Sequence, residues 1–303
     1  KNELIKLKYG ENPNQKAIYY KNSNQKSIFE SIINDQALSF NNILDINSGM
    51  HCIKDFSEPT CVIIKHTNPC GVASNSSIKL AYLNALKCDP TSAFGGIAIF
   101  NRTIDETLSK SLIKIYLNIV CAPKFTKTAL AILKKKINLI IVSTKNLYLN
   151  KNEKSLVLGG VIKQKVNNIK ISKKNIIAVN KFKINNKLIN DLLFALKVCK
   201  HTKSNSVVIA KNKKTLGIGA GQMSRIDSTK ISLSKIAKKN KPQSFVAASD
   251  GFFPFNDSIK LLNKFGCNAL IAPFGSKNDN NLIKYAKKNN INLFFSKNRF
   301  FKH

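Results

Sequence analysis

The segment "CVIIKHTNPCGVA", residues 61–73, joins a short apolar run to two adjacent basic residues and a turn-forming stretch. The apolar run, residues 62–64, is β-branched, which favours a buried strand. Lys65 and His66 follow directly, and Asn68-Pro69 predicts a turn. Because adjacent side chains of a strand point to opposite faces, both basic groups reach one site only if the backbone turns there. The segment therefore predicts a buried strand that delivers Lys65 and His66 to a functional site.

The chain on either side alternates short apolar runs with helical patterns, which predict buried strands and amphipathic helices. In the first half the predicted strands are 61–64, 96–100, 119–122 and 137–143, and the helices are 77–89 and 105–115. The second half gives helices at 188–202, 226–240 and 257–266, strands at 207–210, 244–250 and 268–275, and a strand with a turn at 215–225. This alternation predicts an α/β fold with a largely parallel or mixed sheet.

Residues 144–187 have a different character, with many Lys and Asn residues and little helical periodicity. We interpret them as a bridge between two lobes, with some short extended pairing. The second lobe repeats the element order of the first, although the residue identities do not align well. The pattern therefore indicates a duplicated fold without demonstrating a duplicated sequence.

The formal net charge is +34, from 50 Lys and Arg residues against 16 Asp and Glu residues. Such an excess is typical of nucleic-acid-binding proteins, which gives one alternative function. However, Lys is spread over every region of the chain. Arginine, the residue best suited to recognising guanine edges, occurs only at Arg102, Arg225 and Arg299. We interpret most lysines as solvated surface that favours anionic substrates, with no specific nucleic-acid partner.

The cysteines and the apolar runs bear on the cellular compartment. Seven cysteines, an odd number with no C-x-x-C pair, predict reduced thiols in a cytoplasmic protein. No apolar run reaches the ~18 residues of a membrane span, and the N-terminus lacks the apolar block of a signal peptide, so no membrane partner is expected. The chain begins with Lys1 rather than Met, and we expect a truncated chain or one half of a longer protein.

Three stretches could carry chemistry. Histidine takes up and releases protons near neutral pH, so His66 suits a general base, and the Lys65 ammonium could donate to an oxyanion. The alternative is a solvent-facing Lys beside an ordinary core His. "GIGAGQMSR", residues 217–225, suggests either phosphate binding at a helix N-terminus or a close-packed glycine turn. It lacks the Gly-Lys-Ser/Thr of a P-loop and the third Gly of the dinucleotide fingerprint.

"DGFFPFND", residues 250–257, places aromatic rings beside carboxylates, which suits a flat heteroaromatic ligand or, alternatively, a hydrophobic plug. Neither H-x-E nor P-C-x-x-C occurs in the chain. The usual form of a zinc deaminase site is therefore excluded.

Eight motifs in order resemble one family closely, the AICAR transformylase (phosphoribosylaminoimidazolecarboxamide formyltransferase) half of the bifunctional purine biosynthesis protein. They are "LKYGENPNQ" (7–15), "LSFNN" (38–42), "IKHTNPCGVA" (64–73), "DPTSAFGGI" (89–97), "KSNSVVIA" (203–210), "GIGAGQMSR" (217–225), "ASDGFFPFND" (248–257) and "NRFFKH" (298–303). The resemblance covers residues 7 to 303.

The resemblance implies transfer of the formyl group of 10-formyltetrahydrofolate, a co-substrate, to the 5-amino group of AICAR, giving FAICAR and tetrahydrofolate. It implies duplicated cytidine-deaminase-like three-layer α/β/α lobes, which we place at 1–145 and 188–303 with the bridge at 146–187. It also implies a homodimer with active sites at the subunit interface, no catalytic metal, and a structural alkali ion. The family's N-terminal IMP cyclohydrolase domain is absent from this chain, and we expect it in the full-length protein.

Site residues follow from the resemblance position by position. Lys65 and His66 match the family's catalytic pair. Seven positions match residues that bind AICAR: Lys8, Tyr9, Asn42, Gly95, Asn205, Phe252 and Arg299. Four match residues that line the folate site: Arg225, Pro254, Phe255 and Asp257.

Four departures from the family pattern bear on activity. Lys8 replaces an Arg, which loses a bidentate fork for phosphate but keeps the charge. Asn14 replaces a His, Asn118 an acidic residue, and Asn256 an Arg. A degenerate transformylase with weakened activity is therefore a further alternative.

Overall fold

A computed structural model of the chain describes residues 3–21, 25–34, 36–180, 182, 185–236 and 244–303. The first half opens with the strand pair β1 (Glu3–Lys6) and β2 (Ile18–Lys21). It continues with α1 (Phe40–Ile53), β3 (Thr60–Lys65), β4 (Asn68–Ser74), α2 (Ile78–Leu86), α3 (Pro90–Ala93), β5 (Ile97–Phe100), α4 (Glu106–Leu112), β6 (Ile119–Ala122), α5 (Lys127–Leu133) and β7 (Ile140–Ser143).

A middle segment and the second half follow. The middle segment holds β8 (Asn152–Val157), β9 (Gly160–Lys165) and β10 (Ile176–Ala178). The second half holds α6 (Asn186–Lys200), β11 (Val207–Lys211), β12 (Lys214–Gly219), α7 (Arg225–Ser234), β13 (Phe245–Ser249), α8 (Asp257–Lys264), β14 (Cys267–Pro273), α9 (Asp279–Lys288) and β15 (Asn292–Ser296).

One eleven-stranded sheet runs through both halves, in the order β10-β15-β14-β13-β11-β12-β4-β3-β5-β6-β7. The strands near its centre pair antiparallel, whereas β5–β6–β7 and β13–β14–β15 pair parallel. Outward from the central β12–β4 pair, the first five strands on each side follow the same order, and β10 is an additional edge strand beside β15. The structure thus confirms the predicted α/β class with a mixed sheet.

Helices cover both faces of this sheet because its strands are apolar on both sides. On one face α1 and α6 share a single core that includes Ile46, Val62, Leu192 and Val208. On the other face α2, α4 and α5 cover the first half, and α7, α8 and α9 cover the second. No helix in the described ranges is long and apolar enough to cross a bilayer.

The turn after β3 does not lie where the sequence predicts it. Lys65 pairs with Asn68, so His66 and Thr67 form a two-residue hairpin loop, and Asn68-Pro69 begins β4. The predicted turn at Asn68-Pro69 is therefore wrong. The physical reason is that Pro69 lies at a strand start, where its missing N–H and restricted backbone are tolerated.

Two further sequence predictions have partial outcomes. The predicted helix at 226–240 is α7, which ends at Ser234, and residues 237–240 lie outside the described residues. The short extended pairing predicted for the bridge is present as β8 and β9, a hairpin that is exposed along both strands.

The β3–β4 and β11–β12 hairpins are built alike. Each has a register shift at the same distance from its turn, after Ile63 in one and after Ile209 in the other. Each also has a glycine in the returning strand against a helix backbone. A Cβ at Gly71 would lie 2.1 Å from the Ala85 carbonyl oxygen of α2, and a Cβ at Gly217 would lie 1.9 Å from the Ser232 carbonyl oxygen of α7. These glycines let helix and sheet approach closely, which favours the close-packing interpretation of "GIGAGQMSR".

We predict that Gly217→Ala destabilises the protein, because the added methyl meets backbone that cannot move aside. Overpacking of this kind costs roughly 1–3 kcal/mol. Urea unfolding followed by circular dichroism measures the change. Gly160→Ala is the control, because the nearest atom to its new methyl would be Val157 O at 3.6 Å. Equal stability of the two variants would contradict the prediction.

Candidate active site

The candidate site is centred on the turn that carries His66. Both turn residues have positive φ angles, 50° at His66 and 62° at Thr67, and the His66 side chain is exposed. The Lys65 Nζ atom donates a hydrogen bond to the carbonyl oxygen of Phe94 at 2.9 Å. It also lies 3.2 Å from the place that a Cβ on Gly95 would occupy. The structure therefore brings Lys65, His66 and Gly95 together.

Side chains of helix α1 form hydrogen bonds with the backbone of this turn. The Thr67 N–H donates to Asp45 Oδ1 at 2.5 Å, and the Ser48 hydroxyl donates to the Thr67 carbonyl oxygen at 2.5 Å. Asn42 lies one turn earlier on the same helix, where its side chain completes a capping box with Ser39. Asn42 is one of the site residues predicted from the sequence, whereas Asp45 and Ser48 are not. Their spacing of three residues on a helix is the signal that could have indicated them.

A loop of the second half lies against the same hairpin. The Asn68 Oδ1 atom accepts a hydrogen bond from the Lys203 backbone N–H at 2.8 Å. Two residues further on, Asn205 Nδ2 donates to the carbonyl oxygens of Gln222 and Met223 at 2.9 and 3.0 Å. These bonds join Asn205 of the "KSNS" stretch to the "GIGAGQMSR" stretch.

Arg225 lies inside the protein, with 9% of its surface exposed. Its Nη2 atom forms an ion pair with Asp250 Oδ1 at 2.8 Å, and its Nε atom donates to Ser249 Oγ at 2.7 Å. Asp250 is fully buried and also accepts from the Ser204 hydroxyl at 2.5 Å. The Arg225 guanidinium is thus engaged inside the fold, and its predicted contact with folate stays a prediction.

The segment 299–302 lies next to the site, where Lys302 contacts Ser48 and Ser204. Phe300 is buried, whereas Arg299 is exposed and its guanidinium carbon lies 4.7 Å from the centre of the Phe301 ring. The Lys302 Nζ atom donates to Ser48 Oγ at 3.0 Å. Burial lowers the pKa of Lys302 below its ordinary value. Its backbone N–H donates to Ser204 Oγ at 3.1 Å, so this segment connects α1 with the Asn205 loop.

The remaining predicted residues lie on two surface loops. Exposed Lys8 and half-buried Tyr9 precede Glu11, whose carbonyl oxygen accepts from Asn41 of α1 at 3.1 Å. In the second half Phe252 is half-buried, and the exposed positions are Pro254, Phe255 and Asp257. Within the described part of the chain, no hydrogen bond joins this second loop to Lys65 or His66.

These observations define an α/β protein with two adjacent basic side chains at a constrained turn, where the two halves of one sheet meet. The chain belongs to the AICARFT/IMPCHase bienzyme family, whose family model matches residues 1–235. The comparisons favour this class over the nucleic-acid-binding alternative.

Curated relatives agree with this assignment. The chain is 42% identical over 303 residues to the bifunctional purine biosynthesis protein PurH of Fusobacterium nucleatum, covering 99% of this chain and 60% of that protein. It is 44% identical over 299 residues to PurH of a Thermoanaerobacter species, covering 98% and 58%. The corresponding protein of Caldicellulosiruptor bescii is 41% identical over 309 residues, covering 99% and 60%. The chain thus spans about three fifths of the length of these relatives.

We predict that Arg225→Leu strongly destabilises the protein, because it leaves the buried Asp250 carboxylate without its cation. Breaking a buried ion pair by removing one partner costs about 3–5 kcal/mol. Guanidinium unfolding measures the loss. Lys230→Leu is the control, since the pair of Lys230 with Asp227 is 62% and 50% exposed and such pairs contribute about 0–1 kcal/mol. Wild-type stability in Arg225→Leu would refute the structural role.

Proposed function

We propose that this chain transfers the formyl group of 10-formyltetrahydrofolate to the 5-amino group of AICAR, giving FAICAR and tetrahydrofolate in purine biosynthesis. The observation that carries the proposal is the exposed His66 beside Lys65, whose ammonium is held at Phe94 and Gly95. The matched family's name states two activities, and the motifs of this chain resemble the transformylase half. The cyclohydrolase activity is proposed only for a longer protein containing that domain.

The two basic side chains fit the needs of this reaction. The AICAR amine is a poor nucleophile because the carboxamide withdraws its lone pair. As the amine nitrogen bonds to the formyl carbon, His66 accepts an amine proton as general base. Lys65 donates a hydrogen bond to the oxygen that becomes negative. The bond from the formyl carbon to the folate nitrogen then breaks, and that nitrogen receives a proton from Lys65.

The AICAR site is proposed around this pair. Gly95, beside Lys65, and Asn205, on the loop next to the hairpin, are proposed to contact the base, and Asn42 lies on the supporting helix. Exposed cations supply the charge that a 5′-phosphate requires, and a guanidinium binds phosphate more specifically than an ammonium does. The proposed AICAR residues are Lys8, Tyr9, Asn42, Gly95, Asn205, Phe252 and Arg299.

The folate site is proposed along the loop before α8. Phe255 is 68% exposed, which is unusual for a large aromatic side chain and suits stacking on a pterin ring. The exposed Asp257 carboxylate can accept hydrogen bonds from the ring's N–H groups. Pro254 directly precedes Phe255, and Arg225 contributes through its ion pair with Asp250, at the start of the same loop.

We also propose that the lobes at 1–145 and 188–303 are repeats of a cytidine-deaminase-like unit, joined by the bridge at 146–187. The symmetric strand order and the matched hairpin glycines support this. Seven free cysteines support a reducing, cytoplasmic location.

His66→Ala should abolish formyl transfer while AICAR still binds, because the general base acts in the transition state. The expected loss in kcat is roughly 10²–10⁴-fold. Single-turnover formylation and AICAR titration calorimetry measure the two properties. Arg299→Lys is the comparison variant. Because it replaces the guanidinium proposed to bind the AICAR phosphate, it should raise the AICAR KM roughly tenfold and leave the folate KM nearly unchanged. If the transfer rate of His66→Ala is within about threefold of the wild-type rate, His66 is not the general base.

A homodimer with active sites at the subunit interface is proposed from the β8–β9 hairpin. Leu156 and its cross-strand partner Val161 share one face of the hairpin and are 87% and 58% exposed, and an isolated two-stranded hairpin is at best marginally stable in water. A second copy of the chain would cover this apolar surface.

The prediction is a dimer for the wild-type chain and a monomer for the double variant Leu156→Lys, Val161→Lys, because charges cannot be buried in that contact. Sedimentation velocity near physiological ionic strength, which screens repulsion between like-charged copies, measures both. Ile137→Lys, at another apolar residue that is 81% exposed, is the control and should remain dimeric. A wild-type monomer, or a double variant that stays dimeric, would overturn the proposal.

A further inference from the structure

The turn that carries His66 does not follow from local preferences. A two-residue hairpin loop with two positive φ angles favours Asn and Gly. Here the residues are His66 and Thr67, at 50° and 62°, and a β-branched residue such as Thr rarely adopts a positive φ. Contacts with the rest of the protein must therefore hold the turn in this conformation.

Helix α1 supplies those contacts with two side chains one turn apart. Asp45 accepts from the Thr67 N–H and Ser48 donates to the Thr67 carbonyl, so both backbone polar atoms of Thr67 are bonded to the same helix. Lys302 in turn donates to the Ser48 hydroxyl. Because Thr67 adjoins His66, these bonds also set the direction in which the imidazole leaves the turn.

The Asp45 carboxylate also lies near the two basic side chains of the site. Burial raises its pKa above the ordinary value, and this effect is opposed by the Thr67 N–H and by the nearby charges of His66 and Lys65. The carboxylate is thus placed where it interacts with the catalytic pair as well as with the turn backbone.

The second half contains a hairpin turn whose backbone N–H groups also donate to an aspartate of a helix. Asp191 of α6 accepts from the backbone N–H groups of Asn212 and Lys213 at 2.8 and 2.7 Å, and these residues have φ angles of 53° and 52°. This turn, between β11 and β12, lies at the far end of β4, because the Lys213 carbonyl oxygen accepts from Ser74. Both turns are thus held by an aspartate of a helix, but the turn at Asp191 carries no catalytic side chain.

We propose that Asp45 is a positioning residue for His66, which holds the imidazole in the geometry of proton transfer through its hydrogen bond to the Thr67 N–H. The catalytic role of His66 in this statement rests on the proposed function. Ser48 completes the support from the carbonyl side.

The test compares Asp45→Ala, Asp45→Asn and Asp191→Ala. Each alanine variant removes an aspartate that holds a hairpin turn, and both should lower the Tm. Only Asp45→Ala should lower kcat, by roughly 10- to 100-fold, because misplacement of a reacting group by about 1 Å costs up to that much. Its KM for AICAR should change little. Asp45→Asn keeps an acceptor for the Thr67 N–H and should restore kcat to within about threefold of wild type.

Equal kcat losses in Asp45→Ala and Asp191→Ala would overturn the proposal, because the effect would then be general destabilisation. An unchanged kcat in Asp45→Ala, or an equal loss in Asp45→Asn, would also overturn it.

A second measurement does not depend on turnover. The chain has four histidines, so the ring signals of His66 can be assigned in a histidine-labelled NMR spectrum by comparison with His66→Gln. Asp45→Ala should shift or broaden these signals, and Asp191→Ala should not. If wild-type protein transfers no formyl group, the proposed function fails, whereas unchanged His66 signals in Asp45→Ala refute the positioning role by themselves.

Discussion

The pairing of β4 with β12 is the constraint on which the rest of the structure depends, since it joins the two halves into one sheet. Its backbone register includes Lys214 opposite Ala73. The buried Thr215 hydroxyl adds to it by accepting from the Val72 N–H at 2.9 Å and donating to the Val72 carbonyl at 3.1 Å. A side chain thus satisfies backbone groups that a regular ladder would otherwise pair. With this junction fixed, the start of β4 lies beside the Lys203 loop, and the candidate site forms between the halves.

The sequence predicted the elements that have strong local patterns. Apolar β-branched runs identified β3, β6 and β11, since such runs are recognisable without knowledge of their partners. The structure also brings together Lys65 and Gly95, two positions that the resemblance assigns to the site, although their roles stay predictions. The position of the turn could not be predicted, because His66 and Thr67 have no preference for positive φ and their conformation depends on α1.

The roles of buried charges were also beyond the sequence. An Arg in a glycine-rich stretch is equally consistent with a ligand contact and with an internal ion pair, and only the fold shows that Arg225 reaches Asp250. Asp45 likewise lies three residues before Ser48 on α1, but only the fold shows that both side chains bond to the Thr67 backbone. In contrast, the prediction that the widely spread lysines are solvated did not depend on the fold, because solvated side chains of one charge need no specific partners.

The contact of Lys302 with Ser48 joins positions 254 residues apart. Long-range contacts of this kind form late during folding, because a large loop must close before they contribute. The segment around Lys302 can also detach in a local opening that costs less free energy than global unfolding. Such an opening would remove one support of the His66 turn while the sheet and its helices persist. Mild heating or low denaturant would then produce a subpopulation that is folded by spectroscopic criteria but lacks the assembled site.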